Sequence, residues 1–170
     1  NRLNLADEKP ILFMIHPGSA GSEVYINLAQ SLSDKFSCFG VDSYNLYHTE
    51  KIKDLHGLAC NYLEAMQLLM HQKGQDKYRI LGWSLGGHIA MEIAGILEGQ
   101  GLTDIEIYLL DTTIPDDVIR KFGFSEMQIP WEFRQQYNEE DNNDFLLKVT
   151  ENFMVEQQIA KEEPSLILKY

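Results

Sequence analysis

The sequence predicts an α/β fold, in which a doubly wound, mostly parallel sheet carries helices on both faces. Three observations lead to this expectation. Short strand-like runs alternate with longer segments of helical periodicity, this alternation continues over the first 111 residues, and the run Ile11–Ile15 is continuously apolar. Continuous apolar runs are typical of parallel strands, because helices cover both faces of a parallel sheet.

The first two strands are predicted over Ile11–Ile15 and over residues 36–44. A loop of small residues, His16 to Gly21, follows the first strand and leads into a helical pattern. The apolar residues of that pattern are Val24, Leu28 and Leu32 on the predicted buried face, with Tyr25 and Ala29 beside it.

A longer helix is predicted after the second strand, because apolar residues recur at helical spacing from Ile52 to Leu69. Thr49 is its expected N-cap and Gly74 its expected stop. A third strand, residues 78–81, runs into Gly82, and a further helical pattern spans 89–97. The fourth strand, residues 105–110, ends on Asp111.

The character of the chain changes after Pro115. Short helices are predicted over 116–122 and 130–137, and a longer one over 141–161. The apolar positions of the longer helix are Phe145, Val149 and Phe153, with Leu146 and Met154 alongside. The only further strand pattern is at 166–168, so this part is expected to be a helical insertion on the sheet and not a second domain.

Composition narrows the classes of partner. The 170 residues carry a formal net charge of −12, which argues against a nucleic-acid partner and against docking on anionic lipid. No run of 18 apolar residues indicates a membrane span, and no signal peptide is visible. Because the chain does not begin with Met, we expect that it was excised or processed. Cys38 and Cys60 are expected to be buried free thiols in a reducing cytoplasm.

The segment Gly82-Trp83-Ser84-Leu85-Gly86 is the motif that indicates chemistry. A serine hydroxyl is a poor nucleophile unless a base and an oxyanion site stand beside it. The flanking glycines permit a sharp strand-to-helix turn that exposes the serine, and the N–H of Leu85 then points at the substrate oxygen. A strand pattern precedes the motif and a helical pattern follows it, as this turn requires. The alternative is a glycine-rich turn without chemistry.

Asp111 is the candidate acid, because it ends the strand after the nucleophile and lies at the same sheet edge. Alternatively it is a turn or cap residue, and Asp116 and Asp117 compete for the role. The second oxyanion donor is expected from the loop after the first strand, where small residues favour the Gly18 N–H. That loop could equally be a simple connector.

The histidines leave the general base unassigned. All five precede Asp111, whereas the expected chain order is Ser, then Asp, then His. His88 lies one helical turn after Ser84, where packing is the expected role, and His16 is expected to shape its loop. The other three, His48, His56 and His71, are expected on the surface or on helix flanks. The base is therefore expected outside these 170 residues.

Taken together, these segments resemble the thioesterase domains of nonribosomal peptide synthetases and polyketide synthases, which have the α/β-hydrolase fold. The resemblance covers about residues 10–115 and rests on four segments. They are Phe13 to Gly18, Gly82 to His88, Leu97 to Gly101 and Leu109 to Asp111.

The resemblance implies one thioesterase domain fragment, residues 1–170, with a core over 1–114 and a helical lid over 115–165. It implies that Ser84 takes a peptidyl or acyl chain from the 4'-phosphopantetheine arm of an upstream peptidyl carrier protein. Asp111 would be the acid of the site, and Gly18 and Leu85 would be the oxyanion donors. The domain itself is expected to bind no cofactor. Hydrolysis or macrocyclisation then releases the chain.

The resemblance also implies that the family's last strands and its histidine lie beyond Tyr170, which would leave the strand at 105–110 as an open edge. Two other hypotheses stay open: a free-standing esterase or lipase of the same fold, and a non-catalytic domain that docks a carrier or peptide.

Overall fold

Four parallel strands form one sheet with the order β2-β1-β3-β4 in the computed structural model, which describes residues 1–112, 143–162 and 164. The strands are β1 (Ile11–Ile15), β2 (Ser37–Val41), β3 (Tyr78–Trp83) and β4 (Ile105–Leu110). Every pair in the order runs parallel. The predicted α/β architecture is confirmed.

Helices lie between the strands and after the last of them. They are a 3-10 turn (Ser22–Tyr25) continuing into α1 (Ile26–Ser31), then α2 (Tyr44–Tyr47), α3 (Leu55–Lys73), α4 (Leu85–Gly99) and α5 (Asn143–Ile159). Gly74 ends α3 in a left-handed conformation with φ 62°, as predicted. The N-cap prediction was wrong: Asp54 and not Thr49 caps α3, because its carboxylate accepts from the Gly57 N–H at 2.6 Å.

The core lies on both faces of the sheet, and β1 shows why. All five of its side chains are buried. The larger cluster, with α3 and α4, includes Ile11, Phe13 and Ile15, whereas Leu12 and Met14 join the smaller cluster beside α1. Side chains alternate between the two faces of a strand, so a strand covered on both sides needs an unbroken apolar run.

In each of two predicted helix faces one residue was wrong, while Leu28, Leu32 and Phe153 are partly buried. Val24 is 42% exposed, whereas Tyr25 and Ala29 are buried. The first turn is 3-10 helix, which turns 120° per residue and so shifts the periodicity expected of an α-helix. In α5, Met154 is exposed and the buried positions include the polar side chains of Asn152 and Glu156. The side chains of 143–150, the predicted helices at 116–122 and 130–137, and the predicted strand at 166–168 lie outside what the structure describes.

The strand β4 is the edge of the sheet within the described part of the chain, where it pairs with β3 alone. Its side chains are only partly covered, and Tyr108 and Leu110 are about two-fifths exposed. On the opposite edge, Arg2 forms an isolated antiparallel bridge with Phe39 of β2. The expected open edge at 105–110 stays a prediction, because the predicted strand at 166–168 lies outside the described residues.

Candidate active site

The carboxyl ends of β1, β3 and β4 bring the candidate site residues to one edge of the sheet. Trp83 and Leu110 are paired in the β3–β4 register, so Ser84 and Asp111 are the next residues on adjacent strands. The Ser84 N–H donates to the Leu110 carbonyl at 3.0 Å and continues the ladder by one bond. Ligands of open α/β sheets bind at this edge.

Ser84 is exposed and occupies a sharp turn between β3 and α4. Its backbone has φ 53° and ψ −119°, a region that side-chain-bearing residues rarely adopt. Such a conformation costs on the order of 1–3 kcal/mol and persists only where the surroundings impose it. A sharp turn of this kind between a strand and a helix is what the Gly-x-Ser-x-Gly pattern predicts.

Close backbone contacts explain the two glycines of the motif. A methyl carbon on Gly82 would lie 2.1 Å from the Gly86 carbonyl oxygen, and one on Gly86 would lie 2.5 Å from that of Ile15. Both separations are far below van der Waals contact with backbone atoms that cannot move aside. The glycines therefore let α4 start directly against the ends of β3 and β1.

Asp111 follows β4 with φ 44°, a left-handed conformation uncommon outside glycine. Its side chain is exposed, and neither it nor the Ser84 hydroxyl forms a hydrogen bond with any residue that the structure describes. The next residue, Thr112, donates its hydroxyl to the Leu110 carbonyl at 3.1 Å and lies 3.4 Å from that of Ser84. The carboxylate and the hydroxyl are thus carried by neighbouring turns.

Two backbone N–H groups lie beside this turn. Leu85 is the first residue of α4, so its N–H has no acceptor within the helix. Gly18 lies close by, since a methyl carbon built on it would be 3.9 Å from the Leu85 β-carbon. The Gly18 N–H has no acceptor within the described ranges. Gly18 and Leu85 therefore lie close to each other beside the Ser84 turn, and their role as oxyanion donors stays a prediction.

His16 is fully buried beneath the loop. Its Nδ1–H donates to the Pro17 carbonyl at 2.8 Å, and its Nε2 accepts from the Tyr62 hydroxyl at 2.9 Å. Burial lowers the pKa of His16 to about 4, so the ring is neutral at physiological pH. These contacts agree with the expectation that His16 shapes the loop.

Each of the other four histidines has a different local environment. His48 stacks on Tyr44 with ring centroids 3.8 Å apart. The His56 Nδ1 lies 2.7 Å from the Glu92 carboxylate, His71 is exposed, and His88 is buried on α4.

Tyr25 is a supporting residue whose role sequence reasoning missed. Its hydroxyl donates to the Ile15 carbonyl at 2.8 Å and accepts from the Trp83 N–H at 3.0 Å. It therefore joins the ends of β1 and β3 directly beneath Ser84. Burial raises the pKa of Tyr25 to about 12, so the hydroxyl stays protonated. The available signal was a tyrosine beside an apolar helix face.

Glu156 of α5 was also missed. It is only 3% exposed, and its carboxylate accepts from the Ser19 N–H at 2.6 Å, inside the loop that carries Gly18. Burial raises the pKa of Glu156, although the hydrogen bonds that it accepts oppose that rise. Nothing in the local sequence distinguishes this residue from an ordinary solvated helix carboxylate.

The two cysteines differ. Cys38 is buried as predicted, but the expectation was wrong for Cys60, which is exposed and lies 3.5 Å from the His56 Nε2. The reason is its position on the solvent side of α3, next to the buried residue Ala59.

Among residues 1–112, 143–162 and 164, no three histidine, cysteine, aspartate or glutamate side chains are grouped so that they could hold a metal ion. No helix in these ranges has both the length and the apolar character needed to cross a bilayer.

The comparisons with known sequences point to one protein family. A family model described as "Thioesterase domain" matches residues 10–159. A dimodular nonribosomal peptide synthase of Bacillus subtilis is 29% identical over 110 residues, which are 64% of this chain and 4% of that protein. Malpibaldin synthetase of Mortierella alpina is 26% identical over 126 residues, 74% of this chain and 2% of the synthetase. The chain thus spans a small part of these relatives.

Solved structures with the same fold include the NocB thioesterase domain from the nocardicin cluster, with a TM-score of 0.63 and 21% identity over 94% of this chain and 66% of that one. The type II thioesterase BorB from the borrelidin cluster has a TM-score of 0.68 and 15% identity, covering 96% of this chain and 67% of its own. At these identities the likeness concerns the fold, and it confirms the α/β-hydrolase prediction.

Proposed function

The chain belongs to the thioesterase domain family, and from this premise we propose that Ser84 is the nucleophile of a site that releases a peptidyl or acyl chain from a carrier protein. The observation that carries the proposal is the strained, exposed turn of Ser84, with Asp111 at the end of the adjacent strand. We further propose that residues 1–114 form the core of the domain and residues 115–165 its helical lid.

In the proposed first step, the Ser84 hydroxyl oxygen attacks the carbonyl carbon of a thioester on the carrier's 4'-phosphopantetheine arm. A general base takes the hydroxyl proton, and the N–H groups of Gly18 and Leu85 donate to the oxyanion that forms. Collapse of the tetrahedral intermediate breaks the carbon–sulfur bond, and the phosphopantetheine sulfur leaves and takes up a proton. The product is an ester on Ser84.

The second step releases the chain. Water, or an amine or hydroxyl of the peptide itself, attacks the ester and returns the serine, giving a free acid or a macrocycle. Asp111 would orient and stabilise the protonated base. The arm arrives as part of the substrate, so the proposed domain needs no cofactor of its own. We propose an upstream peptidyl carrier protein as partner and the cytoplasm as location.

The general base is not one of the five histidines in this proposal. His16 is neutral and engaged on both ring nitrogens, and His48 and His56 contact groups elsewhere. Without a base, an oxyanion site and substrate binding still give ~10³–10⁴-fold acceleration over water. The 170 residues alone should therefore turn over a thioester slowly.

Hydrolysis of an acyl-N-acetylcysteamine thioester tests the proposal, with the 170-residue chain and the full-length protein measured side by side. Ser84→Ala should abolish turnover by the full-length protein. Ser31→Ala should not, because that residue lies on the exposed side of α1 and its hydroxyl donates to the Asn27 carbonyl. If the 170-residue chain hydrolyses the thioester rapidly and Ser84→Ala abolishes that turnover, the proposal that these residues lack the general base is wrong.

A fluorophosphonate probe gives a second measurement, independent of turnover. We expect weak labelling of the 170 residues and strong labelling of the full-length protein, at Ser84 in both. Labelling that survives Ser84→Ala would overturn the assignment of the nucleophile. A strong preference for oxygen esters over thioesters would favour an esterase instead.

A further inference from the structure

Glu156 connects α5 to the loop that follows β1. The two segments are far apart in sequence, yet the Ser19 N–H lies 2.6 Å from the Glu156 Oε2. The short distance is typical of a hydrogen bond to a charged acceptor. The carboxylate thus holds the peptide group between Gly18 and Ser19 from the side of α5.

The other oxygen of the same carboxylate is also engaged. Its Oε1 accepts from the Asn152 amide at 2.9 Å and from the Ser43 hydroxyl at 3.2 Å. Three donors from three segments therefore converge on Glu156, which is 3% exposed. Burying a carboxylate is costly unless it is well hydrogen-bonded, and an apolar side chain would hold α5 in place at lower cost. The arrangement indicates a need for an acceptor at this point.

The loop conformation shows what that acceptor stabilises. Ser19 has φ 60°, in the left-handed region that residues other than glycine avoid. A methyl carbon on Gly18 would lie 3.8 Å from the Glu156 Oε2 and 3.9 Å from the Leu85 β-carbon. Gly18 therefore lies between the carboxylate and the start of α4, and the strained residue beside it is held by Glu156.

We propose that Glu156 is a positioning residue, whose carboxylate fixes the Gly18–Ser19 peptide so that the Gly18 N–H faces the acyl oxygen at Ser84. The inference rests on the proposed function of Gly18 and Ser84 and adds to it a residue that touches no substrate. Glu156 lies on α5, in the segment proposed as the lid. The conformation of the oxyanion loop therefore depends on the position of this helix.

Three substitutions separate the hydrogen bond from the charge. Glu156→Ala removes the acceptor. Glu156→Gln keeps an acceptor oxygen for Ser19, and its amide can be accommodated by rotation of Asn152, whose Oδ1 has no hydrogen-bond partner among the described residues. Glu156→Asp keeps the charge but withdraws the carboxylate by one C–C bond, about 1.5 Å.

Glu162→Ala is the matched control. Glu162 lies just after α5, and its Oε2 accepts from the Leu55 N–H at 2.8 Å. It therefore makes the same kind of bond, from carboxylate to backbone N–H, but to the start of α3 and not to the oxyanion loop. If Glu156 acts only by holding α5 in place, this variant should also slow the reaction, and urea denaturation gives the stability that each variant loses.

The experiment measures thioester hydrolysis and the rate constant of fluorophosphonate labelling in the full-length protein. Glu156→Ala should lower kcat and the labelling rate by about tenfold to a hundredfold, less than the full loss of an oxyanion donor, with KM nearly unchanged. Glu156→Gln should stay within about threefold of the wild type, as conservative rescue requires. Glu162→Ala should leave both rates unchanged.

Several outcomes would overturn the inference: equal slowing in Glu156→Ala and Glu162→Ala, an effect on KM alone, or a large loss in Glu156→Gln. If urea denaturation shows that Glu156→Ala is unfolded, Glu156→Asp is the variant that tests the positioning role. A folded Glu156→Asp variant with wild-type rates would contradict that role. Ser84→Ala is run in parallel. If that variant keeps turnover, the proposed function fails and the inference falls with it; if only the Glu156 variants are normal, the inference alone fails.

Discussion

The hydroxyl of Tyr25 offers a direct test of how the sheet supports the site. It bridges the Ile15 carbonyl and the Trp83 N–H at the ends of β1 and β3, and the side chain is 3% exposed. Tyr25→Phe removes one oxygen atom and keeps the ring. The change therefore deletes two hydrogen bonds to the backbone without opening an apolar cavity.

The size of the effect follows from those two bonds. Each backbone group left without its partner costs about 1.5 kcal/mol when buried, and the phenylalanine recovers about 1 kcal/mol because no hydroxyl needs to be buried. The expected loss in the free energy of unfolding is about 2 kcal/mol. Trp83 directly precedes Ser84, so we also expect slower fluorophosphonate labelling at 25 °C.

Urea denaturation followed by fluorescence measures the loss, and Tyr108→Phe is the control. The Tyr108 hydroxyl donates to the Glu106 carboxylate at 3.0 Å on the exposed edge strand, so its removal should change stability by less than about 0.5 kcal/mol. Equal effects of the two substitutions would refute the reasoning, as would a Tyr25→Phe loss below about 0.5 kcal/mol.

Three further perturbations test other parts of the chain. Gly86→Ala puts a methyl carbon within 2.6 Å of the carbonyl oxygens of Ile15 and His16, and should cost about 1–3 kcal/mol of unfolding free energy; an unchanged urea midpoint would contradict it. Burial lowers the pKa of His16 from 6.5 to about 4, so its contribution to stability is present above pH 6.5 and is lost as the pH falls towards 4. Between pH 7 and pH 5 the wild type should lose about 2 kcal/mol more than His16→Gln in urea titrations, and parallel profiles would argue against this. Cys60 is exposed, whereas burial raises the pKa of the Cys38 thiol, so maleimide should modify Cys60 in the native protein and Cys38 only after unfolding; equal rates would refute the assignment.

The sheet and the turn at Ser84 could be predicted because both depend on neighbouring residues. An unbroken apolar run such as Ile11–Ile15 suits only a strand covered on both faces, and the structure places it at the centre of the core. The glycines around Ser84 were assigned a steric role, and contacts of 2.1 Å and 2.5 Å for added methyl carbons bear this out. These features need no information from distant parts of the chain.

Helix phase and caps depended on choices that the sequence leaves open. Both Thr49 and Asp54 are good N-caps, and the structure uses the one whose carboxylate reaches the Gly57 N–H. A single 3-10 turn before α1 is enough to exchange Val24 for Tyr25 on the buried face. Periodicity identifies an amphipathic helix, but not the residue from which the α-helical turn is counted.

The polar residues beneath the site were beyond prediction for a different reason: their partners lie far away in the chain. Glu156 has the local sequence of a solvated helix residue, and only the approach of Ser19 and Ser43 makes its burial favourable. Apolar periodicity favoured Met154, which is instead 63% exposed. Where a fold buries a carboxylate against a strained loop, the local rules of sequence have been overridden, and such departures concentrate at functional sites. The burial of Asn152 and Glu156 on α5, beside the core residue Ile159, is therefore itself an argument that this helix belongs to the site.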